Sequence, residues 1–445
     1  MHWSPADVAG ATGGTFTGPG RADLTGVAVD SRTIAPGELF VALRGERDGH
    51  DFVRDALQAG AGGVLVETGH GPGGEGLVIE VADTGKALLA IGSAARDRLE
   101  ADVVGITGSV GKTSTKDLVA AALCAARRVT SSVRSFNNEI GVPLTLANAP
   151  EDTEVAVIEM GARGPGHIAL LCGIARPTIA VVTAVVAAHT EAFGGLEAIA
   201  EAKGELVAAL PSGGTAVLNH DDRRVRSMAS RSSSASHIFY SASGAAAADV
   251  VAERAALDGE LRASFTARTP WGNTDVRLEA RGLHQVGNAL AALAVSGVSG
   301  VPMESAAAAL RDARLSPWRM EISRAASGAT LINDAYNSNP TSLAAALDAL
   351  QAVPASRRIA VLGEMAELGE RSAEEHLRMA GEAASRGIEL IAVGTDAYGV
   401  VPAPDVDSAL DVLRRMDLRA GDAVLVKASR VAGLERLAAC LQAGH

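Results

Sequence analysis

The residues whose types and spacing most clearly suggest a chemical function lie in the stretch 103–116, VVGITGSVGKTSTK. The apolar, β-branched start of this stretch predicts a buried strand, and Ser114–Ala126 has the composition of a helix. Between them lies the small-residue turn 108–111, followed directly by Lys112 and Thr113. Backbone N–H groups in such a turn converge on a phosphate, the lysine reaches the β- and γ-phosphates, and the threonine hydroxyl binds Mg²⁺. The stretch therefore predicts a phosphate-binding loop.

The match to the phosphate-loop motif is to a variant. The strict pattern has glycine where this chain has Ile106, so the fit is to TGxxGKT. A glycine turn between a strand and a helix can be purely structural, but the Lys-Thr pair and the flanking elements favour phosphate binding. The sequence contains no NKxD segment, the motif that recognises the guanine base in G proteins, so we predict an adenine nucleotide.

Glu159 is the next residue of interest, because it stands at the end of the apolar strand 155–160. An acid at the end of a strand beside a phosphate loop is placed to hold Mg²⁺. The alternative interpretation is a helix-capping or exposed acid. The position at the strand end favours the metal ligand.

Three further polar residues are not assigned by their pattern alone. His189 follows the strand Ile179–Thr183, and a lone histidine is most often a local hydrogen-bonding residue. Lys203 lies in a predicted helix and has the pattern of a solvated lysine. Asp334 opens the polar turn 334–340, which is either a ligand site at the carboxyl end of a strand or a turn with side-chain caps.

Several α/β units must position these residues. We predict a small N-terminal α/β domain over 1–98, a central P-loop domain over 99–314, and a doubly wound, Rossmann-like α/β domain over 315–445. Strands and helices alternate in the central domain, which predicts a mostly parallel sheet that carries the phosphate loop. The alternating stretch 249–280 contains Asp-Gly and Trp-Gly-Asn turns and predicts antiparallel hairpins at the sheet edge.

The composition argues against some functions and locations. The formal net charge is −12 and no basic face is evident, which argues against a nucleic-acid partner. The three cysteines are scattered, which predicts buried, reduced thiols. The start of the chain lacks the pattern of a signal peptide, and the longest apolar run, 179–188, is too short to span a membrane. We therefore expect a soluble, cytoplasmic protein without a transmembrane segment.

Four runs of residues make essentially the whole chain resemble a known family, the Mur ligases. They are 30–43 (DSRTIAPGELFVAL), 137–146 (NNEIGVPLTL), 333–342 (NDAYNSNPTS) and 362–369 (LGEMAELG). The run 333–342 is the most specific, because sister ligases of the family carry different residues there.

This resemblance implies an activity. Mur ligases are ATP-dependent amino-acid ligases of peptidoglycan precursor synthesis, and the run 333–342 is similar to that of the member that adds D-alanyl-D-alanine to UDP-N-acetylmuramoyl-tripeptide. ATP and Mg²⁺ are the implied cofactors, the tripeptide precursor and the dipeptide are the implied partners, and a monomer is expected. The implied reaction passes through an acyl phosphate.

The same resemblance implies roles for individual residues. Nucleotide contacts are implied for Gly108, Ser109, Gly111, Lys112, Thr113, Ser114, His284, Asn288, Arg319 and Asp334. Substrate contacts are implied for Ser31, Arg32, Asn137, Asn138, Asn337 and Asn339. The implied metal ligands are Thr113, Glu159, His189 and Lys203, the last as a carbamylated lysine. Catalytic roles are implied for Lys112, Lys203 and His189.

Departures from the family pattern leave alternatives open. The late run that usually reads KGSR is 427–430 (KASR) here, so contact of these residues with substrate stays open. The nearest alternatives are a sister ligase that adds a single amino acid and a folylpolyglutamate-type ligase, although the run 333–342 speaks against both. A regulatory P-loop ATPase, which hydrolyses nucleotide without joining two small molecules, is an alternative from a different class.

Overall fold

The computed structural model describes residues 1–18, 23–73, 76–187 and 193–444. Within these residues the strands form three separate sheets, and helices pack on their faces. The predicted fold class, three α/β units with mostly parallel sheets, is confirmed. The predicted domain limits, 1–98, 99–314 and 315–445, stay predictions.

The first sheet has the strand order β1-β5-β4-β3-β2 and is parallel except for β1, which runs antiparallel to β5. The elements of this unit are α1 (Pro5–Thr12), β1 (Thr15–Thr17), β2 (Val27–Ala28), β3 (Leu39–Val41), α2 (Val53–Gln58), β4 (Gly63–Glu67), β5 (Val78–Val81) and α3 (Thr84–Arg98). Strand β4 is an apolar, mostly buried run, as expected for a parallel strand. Helix α1 begins with a capping box between Ser4 and Asp7.

The central sheet carries the phosphate loop and has the order β14-β13-β12-β11-β10-β9-β6-β8-β7. The elements of this unit are β6 (Asp102–Thr107), α4 (Lys112–Cys124), β7 (Val129–Ser131), α5 (Gly141–Ala147), β8 (Val155–Glu159), α6 (His167–Ala175), β9 (Ile179–Val182), α7 (Leu196–Ala208), β10 (Thr215–Asn219), α8 (Arg223–Ser227), β11 (Ser236–Ser241), β12 (Val250–Leu257), β13 (Arg262–Arg268), β14 (Thr274–Arg281), α9 (Gln285–Val298) and α10 (Met303–Arg311). Strand β13 pairs antiparallel with β12 and β14, whereas the strands from β12 to β7 pair in parallel. The predicted hairpins at the sheet edge are therefore confirmed.

The third sheet has the order β15-β16-β19-β17-β18, and β15 pairs antiparallel with β16. The elements of this unit are β15 (Glu321–Arg324), β16 (Thr330–Asn333), α11 (Pro340–Ala352), β17 (Arg357–Leu362), α12 (Ser372–Ser385), β18 (Glu389–Ala392), α13 (Val406–Arg415), β19 (Asp422–Lys427) and α14 (Glu435–Ala443). Strands β16, β19 and β17 are parallel neighbours, so the polar residues that follow them meet at one edge.

The structure contains elements that the sequence patterns did not predict. Helix α5 includes Gly141 and Pro143, two residues that disfavour helices. Both lie in its first turn, where the missing N–H of the proline is tolerated. Strands β7 and β15 are short and lie at sheet edges. The prediction of buried cysteines needs correction, because Cys172 is buried but Cys124 is exposed and Cys440 is only partly buried.

Helix length and hydropathy bear on the membrane prediction. Across the described ranges, none of the helices combines the length and the apolar character needed to cross a membrane.

The first and central units share one continuous apolar core. Helix α3 packs on α5 and α6, and side chains from both units form a single buried cluster. Polar groups also join the two units. The Trp3 indole N–H donates to the Ala147 carbonyl oxygen at 3.1 Å. The side-chain amide of Asn148 accepts from the Val27 N–H and donates to the Val27 carbonyl oxygen, both at 2.8 Å. The first unit is therefore firmly attached to the central one.

Candidate functional site

The phosphate loop is the turn between β6 and α4, and neighbouring residues hold its shape. The Ser109 N–H donates to the Ala184 carbonyl oxygen at 2.7 Å, and the Thr183 hydroxyl donates to the Val110 carbonyl oxygen at 2.6 Å. Gly111 is the N-cap of α4 with φ +81°, a left-handed conformation that glycine adopts without strain. The first N–H groups of α4 therefore point into the loop, as a phosphate site requires.

Gly108 is expected not to tolerate alanine. Its φ is +151°, and a Cβ atom there would lie 1.8 Å from the Thr183 hydroxyl oxygen. We expect Gly108→Ala to lower the free energy of unfolding by about 2 kcal/mol or more and to weaken nucleotide binding, because the loop must move. Thermal melting and calorimetric titration with ADP measure the two effects. Gly173→Ala, in α6 with open space around the new Cβ, is the control, and an unchanged ADP affinity in Gly108→Ala would contradict the assignment of the loop.

Lys112 is the first residue of α4, and its ammonium group folds back over the loop. Nζ donates to the Gly108 carbonyl oxygen at 2.8 Å. Burial lowers the pKa of Lys112, and the Glu159 carboxylate opposes that effect. The charge of this lysine is thus held at the turn that would bind phosphate oxygens.

Glu159 ends β8 beside the loop and is buried, so the alternative of an exposed acid is wrong. Its Oε2 accepts from the Thr113 hydroxyl at 2.8 Å, and its Oε1 accepts from the Asn137 amide at 2.8 Å. A carboxylate and a hydroxyl are hard oxygen ligands of the kind that Mg²⁺ prefers, and here they already lie side by side. These residues therefore fit a Mg²⁺ ion. Asn137, a predicted substrate contact, positions the Glu159 carboxylate.

Residues of the third unit contact Thr113 and its surroundings. The Arg319 guanidinium donates to the Thr113 hydroxyl oxygen at 2.7 Å and stacks on the Tyr336 ring, with its central carbon 4.2 Å from the ring centroid. The Tyr336 hydroxyl is hydrogen-bonded to the Ser135 hydroxyl of the central unit. The structure therefore brings Arg319 and the run 333–342 next to the phosphate loop.

Asp334 follows β16 and is held by a buried lysine. The Nζ atom of Lys427 lies 2.6 Å from Asp334 Oδ2 and donates to the Asn337 carbonyl oxygen at 2.8 Å. The other oxygen of Asp334 accepts from the Met320 N–H at 3.0 Å. Lys427 is 2% exposed, so it fixes the polar turn 334–340 against β19 from within the protein.

Helix α9 borders the phosphate loop on another side. The Asn288 Oδ1 atom accepts from the Thr115 hydroxyl of α4 at 3.0 Å, and its Nδ2 donates to Gln285 at 2.8 Å. His284 is the N-cap residue of α9. Asn288 therefore lies beside the start of α4, and His284 lines the same cavity as the phosphate loop.

Lys203 lies in the middle of α7 and is 4% exposed, so its interpretation as a solvated lysine is wrong. Burial lowers the pKa of Lys203 well below its ordinary value, and repulsion from Lys112 lowers it further. Helix α7 packs against β6, the strand that leads into the phosphate loop. His189, the other residue predicted to be both catalytic and a metal ligand, lies outside the described residues.

These elements surround a cavity of about 580 Å³ between the central and third units. The predicted site residues that line it are Ser109, Gly111, Lys112, Thr113, Ser114, Asn137, Glu159, His284, Asn288, Arg319, Asp334, Asn337 and Asn339. Among the described residues, the predicted ones outside its lining are Ser31, Arg32, Gly108, Asn138 and Lys203. The structure therefore brings most of the nucleotide predictions together with the metal predictions Thr113 and Glu159, and it leaves Lys203 and the first-unit residues outside the lining.

Several predicted substrate residues make local contacts. Asn339 is the N-cap of α11 and accepts a backbone N–H of that helix at 2.9 Å. Asn138 accepts from the Gly141 N–H at 2.9 Å and so caps α5. Arg32 is exposed and forms an ion pair with Asp30. These contacts explain the positions of the side chains and leave their substrate roles as predictions.

Three family descriptions match consecutive parts of the chain. They are "Mur ligase family, catalytic domain" over residues 23–95, "Mur ligase middle domain" over 106–296, and "Mur ligase, glutamate ligase domain" over 318–430. A UDP-N-acetylmuramoyl-tripeptide--D-alanyl-D-alanine ligase from Mycobacterium bovis is 40% identical, in an alignment that covers 94% of this chain and 92% of that protein. This chain belongs to the Mur ligase family.

Solved structures of Mur ligases have the same architecture. A MurF from Acinetobacter baumannii matches with a TM-score of 0.88 and 28% identity, covering 100% of this chain and 99% of that one. A MurF ligase from Thermotoga maritima, solved in complex with ADP, matches with a TM-score of 0.80 and 28% identity, covering 94% and 97%. As a Mur ligase, the chain is an ATP-dependent enzyme that forms amide bonds.

Sequence reasoning missed Lys116, a buried residue that shapes the site of this Mur ligase. Its Nζ donates to the carbonyl oxygens of Ser132 and Arg134 at 2.7 Å each. These bonds tie α4 to the segment that carries Ser135 and Asn137. The spacing could have indicated this residue, because Lys116 lies one helical turn after Lys112 and therefore on the same face of α4.

A second group of potential metal ligands, in the first unit of this Mur ligase, has a structural explanation. Ligand atoms of His50, Glu67 and His70 lie within 4.8 Å of one another. Both ring nitrogens of His50 are engaged, since Nδ1 bonds Asp48 at 2.6 Å and Nε2 accepts from the Glu67 N–H at 3.0 Å. The Arg44 guanidinium donates to the Glu67 carboxylate at 2.8 Å. The group therefore fixes a surface loop.

Proposed function

We propose that this Mur ligase joins D-alanyl-D-alanine to UDP-N-acetylmuramoyl-tripeptide at the expense of ATP, with release of ADP and phosphate. The observation that carries the proposal is the cavity in which the phosphate loop of the central unit faces the run 333–342 of the third unit. The Mycobacterium bovis relative bears the name of that activity and matches over nearly its whole length. The ADP complex of the Thermotoga maritima relative supports nucleotide binding.

In this proposal the phosphate loop binds the phosphates of ATP. Lys112 neutralises charge on the transferring γ-phosphoryl group, and Arg319 reaches the same place from the third unit. Thr113 and Glu159 would hold Mg²⁺, and Lys203 and His189 are proposed for a second ion. Bound Mg²⁺ supplies further neutralisation of the phosphoryl oxygens.

The proposed reaction has two steps. An oxygen of the terminal carboxylate of the tripeptide attacks the γ-phosphorus of ATP, the bond to the bridging oxygen breaks, and ADP leaves. The neutral amine of D-alanyl-D-alanine then attacks the carbonyl carbon of the acyl phosphate, loses a proton and expels inorganic phosphate. Exclusion of water from the cavity between the central and third units would protect the acyl phosphate from hydrolysis.

The remaining site assignments belong to the same proposal. His284, Asn288, Arg319 and Asp334 would contact the nucleotide, and their place around one cavity supports this. Ser31, Arg32, Asn137 and Asn138 would face the UDP precursor, and Asn337 and Asn339 would face the substrates from the third unit. We assign UDP-sugar binding to 1–98, ATP binding to 99–314 and acceptor binding to 315–445.

We also propose a monomeric enzyme that acts in the cytoplasm. ATP and UDP-linked precursors are substrates of that compartment.

The dipeptide is expected to be the preferred acceptor. With ATP, Mg²⁺ and UDP-N-acetylmuramoyl-tripeptide present, D-alanyl-D-alanine should raise the rate of ADP release at least about tenfold, because it supplies the positioned nucleophile that the acyl phosphate needs. D-alanine, L-lysine and D-glutamate should leave the rate at background. Tripeptides that end in diaminopimelate and in lysine should be assayed in parallel to identify the third residue.

Each alternative function has its own outcome in this assay. Equal stimulation by a single amino acid would assign the chain to a sister ligase. ADP release that needs neither the tripeptide nor the dipeptide would indicate a regulatory ATPase and would contradict the proposal.

A further inference from the structure

The turn 363–367 after β17 is a rigid part of the cavity wall outside the residues assigned above. Ala366 and Glu367 line the cavity, and the side chain of Glu367 is exposed. Glu367 adopts φ +68°, a left-handed conformation that a glutamate rarely has. A residue other than glycine keeps such a conformation only where its surroundings enforce it, and such positions cluster at ligand sites.

Two neighbouring elements hold this turn. Buried His376 of α12 accepts from the Met365 N–H through Nε2 at 2.9 Å. The Ser429 hydroxyl, just after β19, accepts from the Ala366 N–H at 2.9 Å. The backbone before Glu367 is therefore fixed from both sides.

Glu367 differs from the other carboxylates that line the cavity. Glu159 is buried in the central unit, and Asp334 is paired with Lys427. Glu367 has contacts of its own but is exposed on the third unit. Glu367 and Lys112 line the same cavity, Glu367 from the third unit and Lys112 from the central unit.

We propose that Glu367 binds the α-ammonium group of the acceptor dipeptide. The inference rests on the proposed function, in which the acceptor is the substrate whose reacting group arrives as an ammonium ion. Lys112 and Arg319 suit the anionic phosphates and the carboxylate of the other substrates, whereas an ammonium group requires an anion. Because Glu367 lines the cavity that also contains Lys112, it would hold the amine in the same cavity as the acyl carbon that the amine attacks.

The first test compares Glu367→Gln with the wild type and with Glu370→Gln, a nearby exposed acid outside the cavity lining. In Glu367→Gln we expect the KM for D-alanyl-D-alanine to rise about tenfold to a hundredfold, which corresponds to the loss of one charge-assisted hydrogen bond. The KM values for ATP and UDP-tripeptide should change less than about twofold, since those ligands do not contact the carboxylate. Acyl phosphate trapped with hydroxylamine, without dipeptide, should form at the wild-type rate. An unchanged KM for the dipeptide overturns the inference.

A second variant, Glu367→Gly, separates recognition from folding. Glycine adopts φ +68° without strain, so this variant should melt at the same or a higher temperature and still lose affinity for the dipeptide. A fall in melting temperature in both variants, with KM rising for all three substrates, would indicate a structural role and overturn the inference.

N-acetyl-D-alanyl-D-alanine tests recognition of the charge itself, because it lacks the ammonium group. As a competitive inhibitor it should bind the wild type at least about tenfold more weakly than the dipeptide does, and it should bind Glu367→Gln as it binds the wild type. A wild-type protein without dipeptide-dependent ADP release would overturn the proposed function and this inference together. An active wild type whose discrimination against the acetylated dipeptide persists in Glu367→Gln would overturn the inference alone.

Discussion

Lys112→Ala is expected to abolish ligation and leave the fold intact. The Nζ atom lies over the phosphate loop, 2.8 Å from the Gly108 carbonyl oxygen, where its charge would face the phosphates. Removing one preorganised contact to a transferring group costs about 3–4 kcal/mol in the transition state, which is at least about a hundredfold in turnover. Because burial lowers the pKa of Lys112, the folded state bears a desolvation cost for this charge, and the melting temperature should be unchanged or higher.

The control for this variant is Lys86→Ala, which removes a lysine whose side chain is 84% exposed on α3. Turnover and thermal melting should be measured on the same preparations of both variants. Near-normal turnover in Lys112→Ala would contradict the phosphate role. A collapsed melting curve would show instead that the lysine is required for folding.

Lys203→Ala is expected to remove most turnover while ATP still binds. We predict that this lysine is carbamylated: the neutral amine adds to CO₂ and releases one proton, and the resulting carbamate oxygens would serve as metal ligands. Lys203 is 4% exposed, and burial, followed by repulsion from Lys112, lowers its pKa, so the neutral amine is more populated than in a solvated lysine. We expect turnover to fall at least about a hundredfold, because the anion that neutralises the metal site is lost.

Chemical rescue distinguishes this role from a packing defect. Acetate or formate in excess should restore part of the rate of Lys203→Ala, because a small carboxylate fits the space left by the carbamate. Lys203→Arg keeps the positive charge but cannot form a carbamate, so it should be inactive and not rescued. NMR with ¹³C-bicarbonate should show a carbamate signal in the wild type. The absence of that signal, or a normal rate in Lys203→Ala, would refute the prediction.

The phosphate loop could be predicted from sequence because its chemistry is local. A strand, a small-residue turn and a helix start follow one another within 103–126, and the structure has β6, the turn and α4 in that order. Glu159 could be placed next to them because neighbouring parallel strands end at the same edge of a sheet. The three-unit architecture followed from the alternation of strand and helix patterns.

The contacts that complete the cavity could not be predicted from local patterns. Arg319 and Thr113 are 206 positions apart in the chain, and nothing in the spacing of either residue indicates that they meet. Lys203 resembles a solvated lysine in sequence, because its burial depends on how α7 packs against α6 and the central sheet. Glu367 has an unusual backbone conformation that only the surrounding hydrogen bonds reveal. Such features arise from tertiary packing, which a single sequence does not display.

The apolar core common to the first and central units affects how the chain unfolds. Ile91 of α3 and Leu146 of α5 belong to one buried cluster, so separating the chain near residue 98 would expose apolar surface on both fragments. The third unit buries clusters of its own, to which the central unit adds Leu261 and, in part, Leu257. We therefore expect the three sheets to unfold as two cooperative blocks, the first and central sheets together and the third sheet separately.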